Sequence, residues 1–203
     1  MPISTQHECV FVHIPRTGGT TVEKLLGIHR DWPEPDLEVF HGRFDRGNDY
    51  YQLQHLSYRE MKSVKDIAHT QDYFKFTIVR NPWDRLVSEY FWQNLQDKIS
   101  FQAFANRTVN IVNNRTRITG AYCHFRPQVE FLGDELNLII RFENFRSEMR
   151  GLMLKFGIRP QSIPKHVATN HKNYSKYYDA ETVNMVANAY RMDIDHFSYK
   201  FES

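Results

Sequence analysis

Residues 9–21 read CVFVHIPRTGGTT, and this stretch decides the fold. It begins with a mainly apolar run and continues into a turn that contains two consecutive glycines, a pattern typical of a buried parallel strand that ends in a tight turn. After Thr20, apolar residues recur at helical spacing: Val22, Leu25 and Leu26. The stretch therefore predicts a strand, a glycine turn and a helix, in that order.

The same strand-to-helix pattern recurs twice further along the chain. Residues 74–79 and 136–142 have the composition of core strands, and a helical pattern follows each of them. Strands that alternate with helices predict one α/β domain over 1–203, with a P-loop-like, mainly parallel central sheet flanked by helices. We further expect a short helix over 57–66, an irregular excursion over 29–54, and one final helix that Asp179 caps and that includes Phe197.

Composition narrows the functional classes. The 203 residues are 41% hydrophobic with a formal net charge of +2, which fits one ordinary globular domain and gives no reason to expect a nucleic-acid partner. No stretch approaches the roughly 20 consecutive apolar residues that a membrane span needs. The first residues lack the pattern of a secretion signal, so we expect a cytoplasmic protein. The two cysteines, Cys9 and Cys123, have no metal-type spacing, and we expect reduced thiols and no metal.

The glycine turn is a candidate anion site. Glycines let a ligand approach the backbone closely, and a helix that starts there presents unpaired N–H groups. Arg16 adds positive charge and neighbouring threonines add hydroxyl donors, which suits a phosphate or sulfate group. The residues of this expected site are Arg16, Thr17, Gly18, Gly19, Thr20 and Thr21. A tight turn without any ligand is the alternative for this motif alone.

A second candidate anion site lies in VRNPWDRLVS, residues 79–88. Arg80 is placed where the second strand ends, and Ser88 is placed two turns along the helix that follows. Ligands of open α/β sheets bind outside the carboxyl ends of the strands, where both motifs should meet. Two such sites at one edge predict a single ligand with two separated acidic groups.

These motifs resemble the phosphosulfate-binding pair of sulfotransferases that use 3′-phosphoadenosine 5′-phosphosulfate (PAPS), closest to the carbohydrate O-sulfotransferase branch. The similarity covers most of the chain in order: residues 13–23, 55–60, 79–88, 141–145 and 177–179 with the helix that follows. The resemblance implies PAPS as sulfuryl donor and a hydroxyl-bearing acceptor, such as a saccharide or glycoconjugate. It implies that residues 16–21 hold the phosphosulfate and that Arg80 and Ser88 hold the ribose 3′-phosphate.

The resemblance also assigns roles to single residues. Arg16 stands where the family usually has a lysine that stabilises the leaving phosphate, and Arg is not simply equivalent to Lys. His55 aligns with the segment that bears the catalytic base in hexuronic-acid sulfotransferases, and His41 is the second choice. Lys172 lies where related enzymes close a loop over the nucleotide. Acceptor specificity is expected in residues 29–54 and 106–128.

Two other functions stay open from the sequence. A P-loop kinase needs Gly-Lys-Ser/Thr at the end of its glycine loop, whereas residues 18–21 read Gly-Gly-Thr-Thr. A non-catalytic nucleotide-binding module of the sulfotransferase type is compatible with arginine at position 16. A magnesium requirement distinguishes the kinase, and absence of transfer distinguishes the module.

Overall fold

A computed structural model describes residues 2–29, 34–47, 49–114, 120–133, 135–160, 163, 171 and 173–202. In these residues the main sheet has four strands: β1 Ile3–Ser4, β2 Cys9–Val12, β5 Phe74–Val79 and β6 Leu138–Arg141. Their order in the sheet is β1-β2-β5-β6. Strands β2, β5 and β6 run parallel, and β1 pairs antiparallel with β2. The prediction of a mainly parallel α/β sheet is confirmed.

Helices cover both faces of this sheet. Their bounds are α1 Gly19–Leu25, α2 Tyr58–Val64, α3 Pro82–Trp92, α4 Phe101–Asn114, α5 Phe145–Lys155, α6 Ala180–Ala189 and α7 Arg191–Phe197. The core consists of two clusters, one on each face of the sheet, because successive side chains of a strand point to opposite faces. Cys9 and Phe11 pack with residues of α1 and α5, whereas Val10 and Val12 pack with residues of α2, α3, α4 and α6.

The prediction that 29–54 is an irregular excursion is wrong in its second half. Strands β3 Arg43–Arg46 and β4 Asp49–Gln52 form an antiparallel hairpin in which Phe44 pairs with Tyr51. Their polar composition lacks a core-strand run, but Gly-Asn between two short aromatic strands is a hairpin signal. A short 3-10 helix, Leu53–His55, follows directly and carries the expected base.

The final helix is divided into two, which corrects the prediction of one continuous helix. Tyr190 lies between α6 and α7 with φ −106° and ψ 27°. Its hydroxyl donates to the Phe125 carbonyl oxygen at 2.9 Å. The turn lets the buried Asp193 accept hydrogen bonds from the amides of Gln128 and Val129. These tertiary bonds, which the helical pattern does not contain, fix the bend.

Both cysteines are buried free thiols, as expected. Burial raises the pKa of Cys9 and of Cys123 to about 12, so both stay protonated at neutral pH. Among the described residues, no helix has the length and apolar character needed to cross a membrane.

Candidate active site at the carboxyl edge of the sheet

A crevice opens where β2 and β5 end side by side. Helix α1 leaves β2 toward one face of the sheet and α3 leaves β5 toward the other, which is the arrangement that creates a ligand crevice in open α/β sheets. The cavity there has a volume of about 570 Å³. Its lining includes the predicted residues Arg16, Gly18, Gly19, Thr20, Thr21, His55, Arg80 and Ser88, together with His41.

The glycine turn presents backbone donors to this cavity. Gly18 has φ +87° and Arg16 has φ +69°, so the chain makes two left-handed steps before α1. Within the described chain, the amides of Thr17, Gly18, Gly19 and Thr20 donate to no protein acceptor. Consecutive free amides of this kind favour an anion.

The hydroxyl of Thr17 is not available to a ligand, contrary to the expectation that the threonines of the turn supply hydroxyl donors. Its hydroxyl donates to the Ile14 carbonyl oxygen at 2.8 Å, and its side chain is fully buried. The hydroxyl therefore stabilises the turn, which leaves the backbone amide as its group for a ligand. Thr20 is exposed and Thr21 is half-buried, and both line the cavity. Lys172 lies outside the described residues.

Arg16 and Ser88 are 72 positions apart in sequence and in direct contact. The guanidinium donates to the Ser88 Oγ from Nε at 3.3 Å and from Nη2 at 3.2 Å. Glu89 lies 3.8 Å from the Arg16 Nε. Burial lowers the pKa of Arg16, and Glu89 opposes this effect. Arg16 thus joins the two sequence motifs into one site.

Arg80 is almost fully buried, with 2% of its side chain exposed, and is already partly engaged. Its Nε donates to Asp84 Oδ2 at 2.7 Å, its Nη1 donates to the Arg16 carbonyl oxygen at 3.0 Å, and its Nη2 lies 3.3 Å from His171 Nε2. A guanidinium has five N–H donors, so these contacts leave two for a ligand. Asp84 holds the guanidinium at the cavity wall.

His55 has two ring nitrogens in different surroundings. Its Nδ1 lies 2.9 Å from the His13 carbonyl oxygen, which only accepts hydrogen bonds, so Nδ1 carries the proton. Nε2 is then the unprotonated nitrogen of a residue that lines the cavity. Burial lowers the pKa of His55 well below its ordinary value, and the neighbouring His13 and His124 lower it further. The ring is therefore neutral at pH 7, and its Nε2 can accept a proton.

Two buried histidine–glutamate pairs flank His55, and the sequence analysis missed them. The His13 ring lies 4.5 Å from that of His55 and bonds Glu23 at 2.6 Å through Nδ1. The His124 ring lies 5.2 Å from His55 on another side and bonds Glu89 at 3.0 Å. Burial opposes ionisation of both glutamates, but their histidine partners make the pKa of each carboxyl lower overall.

A sequence signal for these pairs exists but is weak. Glu23 and Glu89 each lie beside apolar residues on the buried face of a helix, next to Val22 and Tyr90 respectively. A buried glutamate needs a partner, yet only the fold shows which histidine supplies it. His13 also orients His55, because its carbonyl oxygen fixes the His55 tautomer.

The two tryptophans of α3 differ in exposure. Trp83 is buried, whereas 54% of Trp92 is exposed. The Trp92 ring lies 5.4 Å from the Arg16 guanidinium and 4.9 Å from the His124 ring, and it lines the cavity. It comes at the last position of α3, where the helix has already reached the cavity mouth.

The assembled site combines fixed positive charge, free amides and a neutral imidazole. Such a cavity can bind a polyanion and remove a proton from a neutral hydroxyl group. The kinase-type lysine is absent from the turn, so the positive charge there comes from arginine.

Comparison with known proteins shows the family of the chain. The family model described as the Sulfotransferase family matches residues 1–200. Among solved structures, a sulfotransferase from Alicyclobacillus acidocaldarius matches with 14% sequence identity, 96% coverage of both chains and a TM-score of 0.47. No curated protein matches. Because the family model covers nearly the whole chain, the chain belongs to the Sulfotransferase family.

Proposed function

We propose that this sulfotransferase moves a sulfuryl group from PAPS to a hydroxyl group of a carbohydrate. The observation that carries the proposal is the convergence of Arg16, Arg80, Ser88 and His55 on one cavity. The donor has a phosphosulfate and a separate ribose 3′-phosphate. The cavity offers a matching pair of anion-binding positions, one at each strand end.

The phosphosulfate is assigned to the glycine turn. The free amides of residues 17–20 and the Arg16 guanidinium supply its donors. The ribose 3′-phosphate is assigned to Arg80 and Ser88, which lie at the end of β5 and on α3. Lys172 stays a proposed contact to the nucleotide from the family resemblance.

His55 is proposed as the base. Its unprotonated Nε2 takes the proton from the acceptor hydroxyl as that oxygen forms its bond to sulfur. The bond between sulfur and the bridging phosphate oxygen breaks, and adenosine 3′,5′-bisphosphate leaves. Arg16 stabilises the negative charge that develops on the leaving phosphate. His13 holds the His55 ring in the required tautomer through its carbonyl oxygen.

A carbohydrate acceptor suits the open wall of the cavity. Trp92 offers an exposed aromatic face, and Gln52 and Gln54 bring side-chain amides to the same cavity. Sugar rings need an apolar surface together with a few hydrogen-bonding groups. This wall lies in part on the β3–β4 hairpin segment, inside the region where specificity is expected.

Product analysis tests the proposal directly. The purified chain is incubated with PAPS and a panel of saccharides, and both adenosine 3′,5′-bisphosphate release and sulfated product are quantified. We expect nucleotide release that depends on the saccharide and is unchanged by a magnesium chelator. Transfer of phosphate from magnesium ATP would favour the kinase alternative, and nucleotide binding without transfer to any acceptor would favour the non-catalytic module.

A further inference from the structure

Two histidines approach one oxygen of Glu23 on the cavity wall. His29 Nδ1 lies 3.2 Å from Glu23 Oε2, and His41 Nε2 lies 3.5 Å from the same oxygen. One potential ligand atom from each of the three residues lies within 4.8 Å of the other two. The residues come from α1, from the turn after it and from the bridge between Asp36 and His41.

These distances suit a shared metal ion. Zinc binds histidine nitrogen and carboxylate oxygen at about 2.0–2.2 Å, so two ligand atoms around a tetrahedral ion are roughly 3.3 Å apart. The two measured separations, 3.2 and 3.5 Å, lie on either side of that value. Two histidines and one glutamate form a known ligand set for zinc, and three protein ligands leave a fourth position for water or another oxygen.

The other oxygen of Glu23 is already held. His13 Nδ1 lies 2.6 Å from Glu23 Oε1, on the opposite branch of the carboxylate. Bonds of this kind orient a ligating carboxylate and are a regular feature of metal sites. They leave Oε2 as the oxygen that faces His29 and His41. Glu23 itself is 1% exposed, so its direction is fixed by the core.

His41 is held as firmly as Glu23. The residue is 3% exposed, and Nε2 is the ring nitrogen that faces Glu23 Oε2.

We propose that Glu23, His29 and His41 form a binding site for one divalent transition-metal ion of the zinc type. This inference departs from the expectation of no metal, which rested on local spacing in the sequence. The three ligands are 6 and 12 positions apart and only the fold brings them together. All three line the same cavity as His55, so the ion would lie on the wall of the active site. The inference does not depend on the identity of the sulfuryl donor.

Zinc titration of the full chain tests the site. The protein is purified without a polyhistidine tag, treated with a chelator and titrated with zinc chloride by calorimetry, with cobalt absorption spectra as a second readout. We expect one ion per chain and visible d–d bands from cobalt. His29→Ala and His41→Ala should each weaken zinc binding by about 100-fold or more, because loss of a ligand costs at least as much as loss of a supporting contact.

His69→Ala is the matched control, since this exposed histidine lies outside the cavity and its loss should leave zinc affinity unchanged. His29 is half-buried, so its variant is the safer one for folding, and circular dichroism checks both. Absence of stoichiometric zinc binding, or equal affinity in a folded His29→Ala variant, would overturn the proposal. Nucleotide binding is measured separately, so failure of this site is distinguishable from failure of the proposed function.

Discussion

At the scale of single residues, His55 is positioned by the backbone rather than by an acidic partner. The His13 carbonyl oxygen fixes which ring nitrogen carries the proton, and the flanking histidines engage the two buried glutamates. The ring of His55, the proposed base, is thus kept neutral, because the flanking His13 and His124 lie between it and the carboxylates of Glu23 and Glu89. In the proposed mechanism, the groups that bind the polyanion are therefore distinct from the group that removes the proton.

Loss of the His55 ring should remove turnover and spare nucleotide binding. We expect His55→Ala to lower kcat by about 10²–10⁴, the usual contribution of general base catalysis. The dissociation constant for adenosine 3′,5′-bisphosphate should stay within about threefold, because the ring holds no anion. Steady-state kinetics and calorimetry measure the two quantities, with His69→Ala as control. Full activity in His55→Ala would exclude this residue as base.

Acidification should reduce activity only below the ordinary histidine range. Burial makes the pKa of His55 lower, His13 and His124 act in the same direction, and Glu23 opposes them. The neutral base is therefore present at pH 7, and kcat/KM should fall only as the pH drops below about 6.5. A pH–rate profile with its midpoint at or above pH 7 would contradict this account.

The same shift has a consequence for stability. The unfolded chain takes up a proton on this histidine near pH 6.5, whereas the folded chain does so only at lower pH. Folding is therefore favoured above about pH 6.5, and this contribution is lost as the pH falls below it. Urea unfolding at pH 7 and pH 5.5 should show a smaller loss in His55→Asn than in the unchanged chain. An equal loss in both would remove His55 as the source.

The arginine at position 16 can be compared directly with lysine. Arg16→Ala should lower kcat by about 10²–10³, the typical effect of removing one donor from developing negative charge. Arg16→Lys keeps the charge but loses the two-nitrogen contact to Ser88. We expect Arg16→Lys to retain most of the activity. If instead the unchanged chain is inactive and Arg16→Lys is active, the non-catalytic module is the better interpretation.

At the scale of secondary structure, the turn between β2 and α1 tolerates no side chain at Gly19. A Cβ atom there would lie 2.0 Å from the His13 ring, and that ring is held by Glu23. Gly19→Ala should therefore displace His13 and disturb the bond that orients His55. We expect a loss of about 1–3 kcal/mol in the free energy of unfolding, together with loss of activity.

Gly151 provides the matched comparison for that substitution. It lies within α5, and a Cβ atom there would meet nothing within 4 Å. Gly151→Ala should stabilise the fold by about 0.5–1 kcal/mol, because alanine is the better helix former. Urea denaturation measures both variants. Equal changes in the free energy of unfolding for the two variants would show that the close contact at Gly19 does not affect stability.

Elements with strong local signals were predictable from the sequence. Local sequence is sufficient to determine the conformation of the apolar runs in β2 and β5 and of the helix start at Asn81-Pro82. The structure has these two strands and this helix start at the positions that the sequence indicates. The β3–β4 hairpin was missed because its strands are short and polar. The bend at Tyr190 depends on bonds to Phe125 and on Asp193, which no helical periodicity contains.

The candidate site divides in the same way. Arg16, Arg80 and Ser88 were predictable because their motifs follow the carboxyl ends of β2 and β5, which are parallel neighbours in the sheet. Glu23, Glu89 and His124 were not, since only the fold shows that Glu23 pairs with His13 and Glu89 with His124. The exposure of Trp92 is not apparent from the sequence, because the helical pattern continues through this residue although the buried residues of α3 end at Tyr90.

At the scale of the whole molecule, ligand binding should stabilise the fold. A ligand that binds only the folded chain adds about 2.7 kcal/mol at a concentration of 100 times its dissociation constant. Saturating adenosine 3′,5′-bisphosphate should therefore raise the melting temperature, and magnesium ATP should raise it less. An equal or larger shift with magnesium ATP would argue against the proposed donor.

Calorimetric titration with adenosine 3′,5′-bisphosphate shows whether one cavity holds both acidic groups of the nucleotide. We predict micromolar binding that is lost in Arg80→Ala and weakened at least tenfold in Ser88→Ala, the smaller change and the safer one for folding. Arg150→Ala, on the exposed side of α5, should bind as the unchanged chain does. Absence of binding, or preference for ATP with magnesium, would contradict the account.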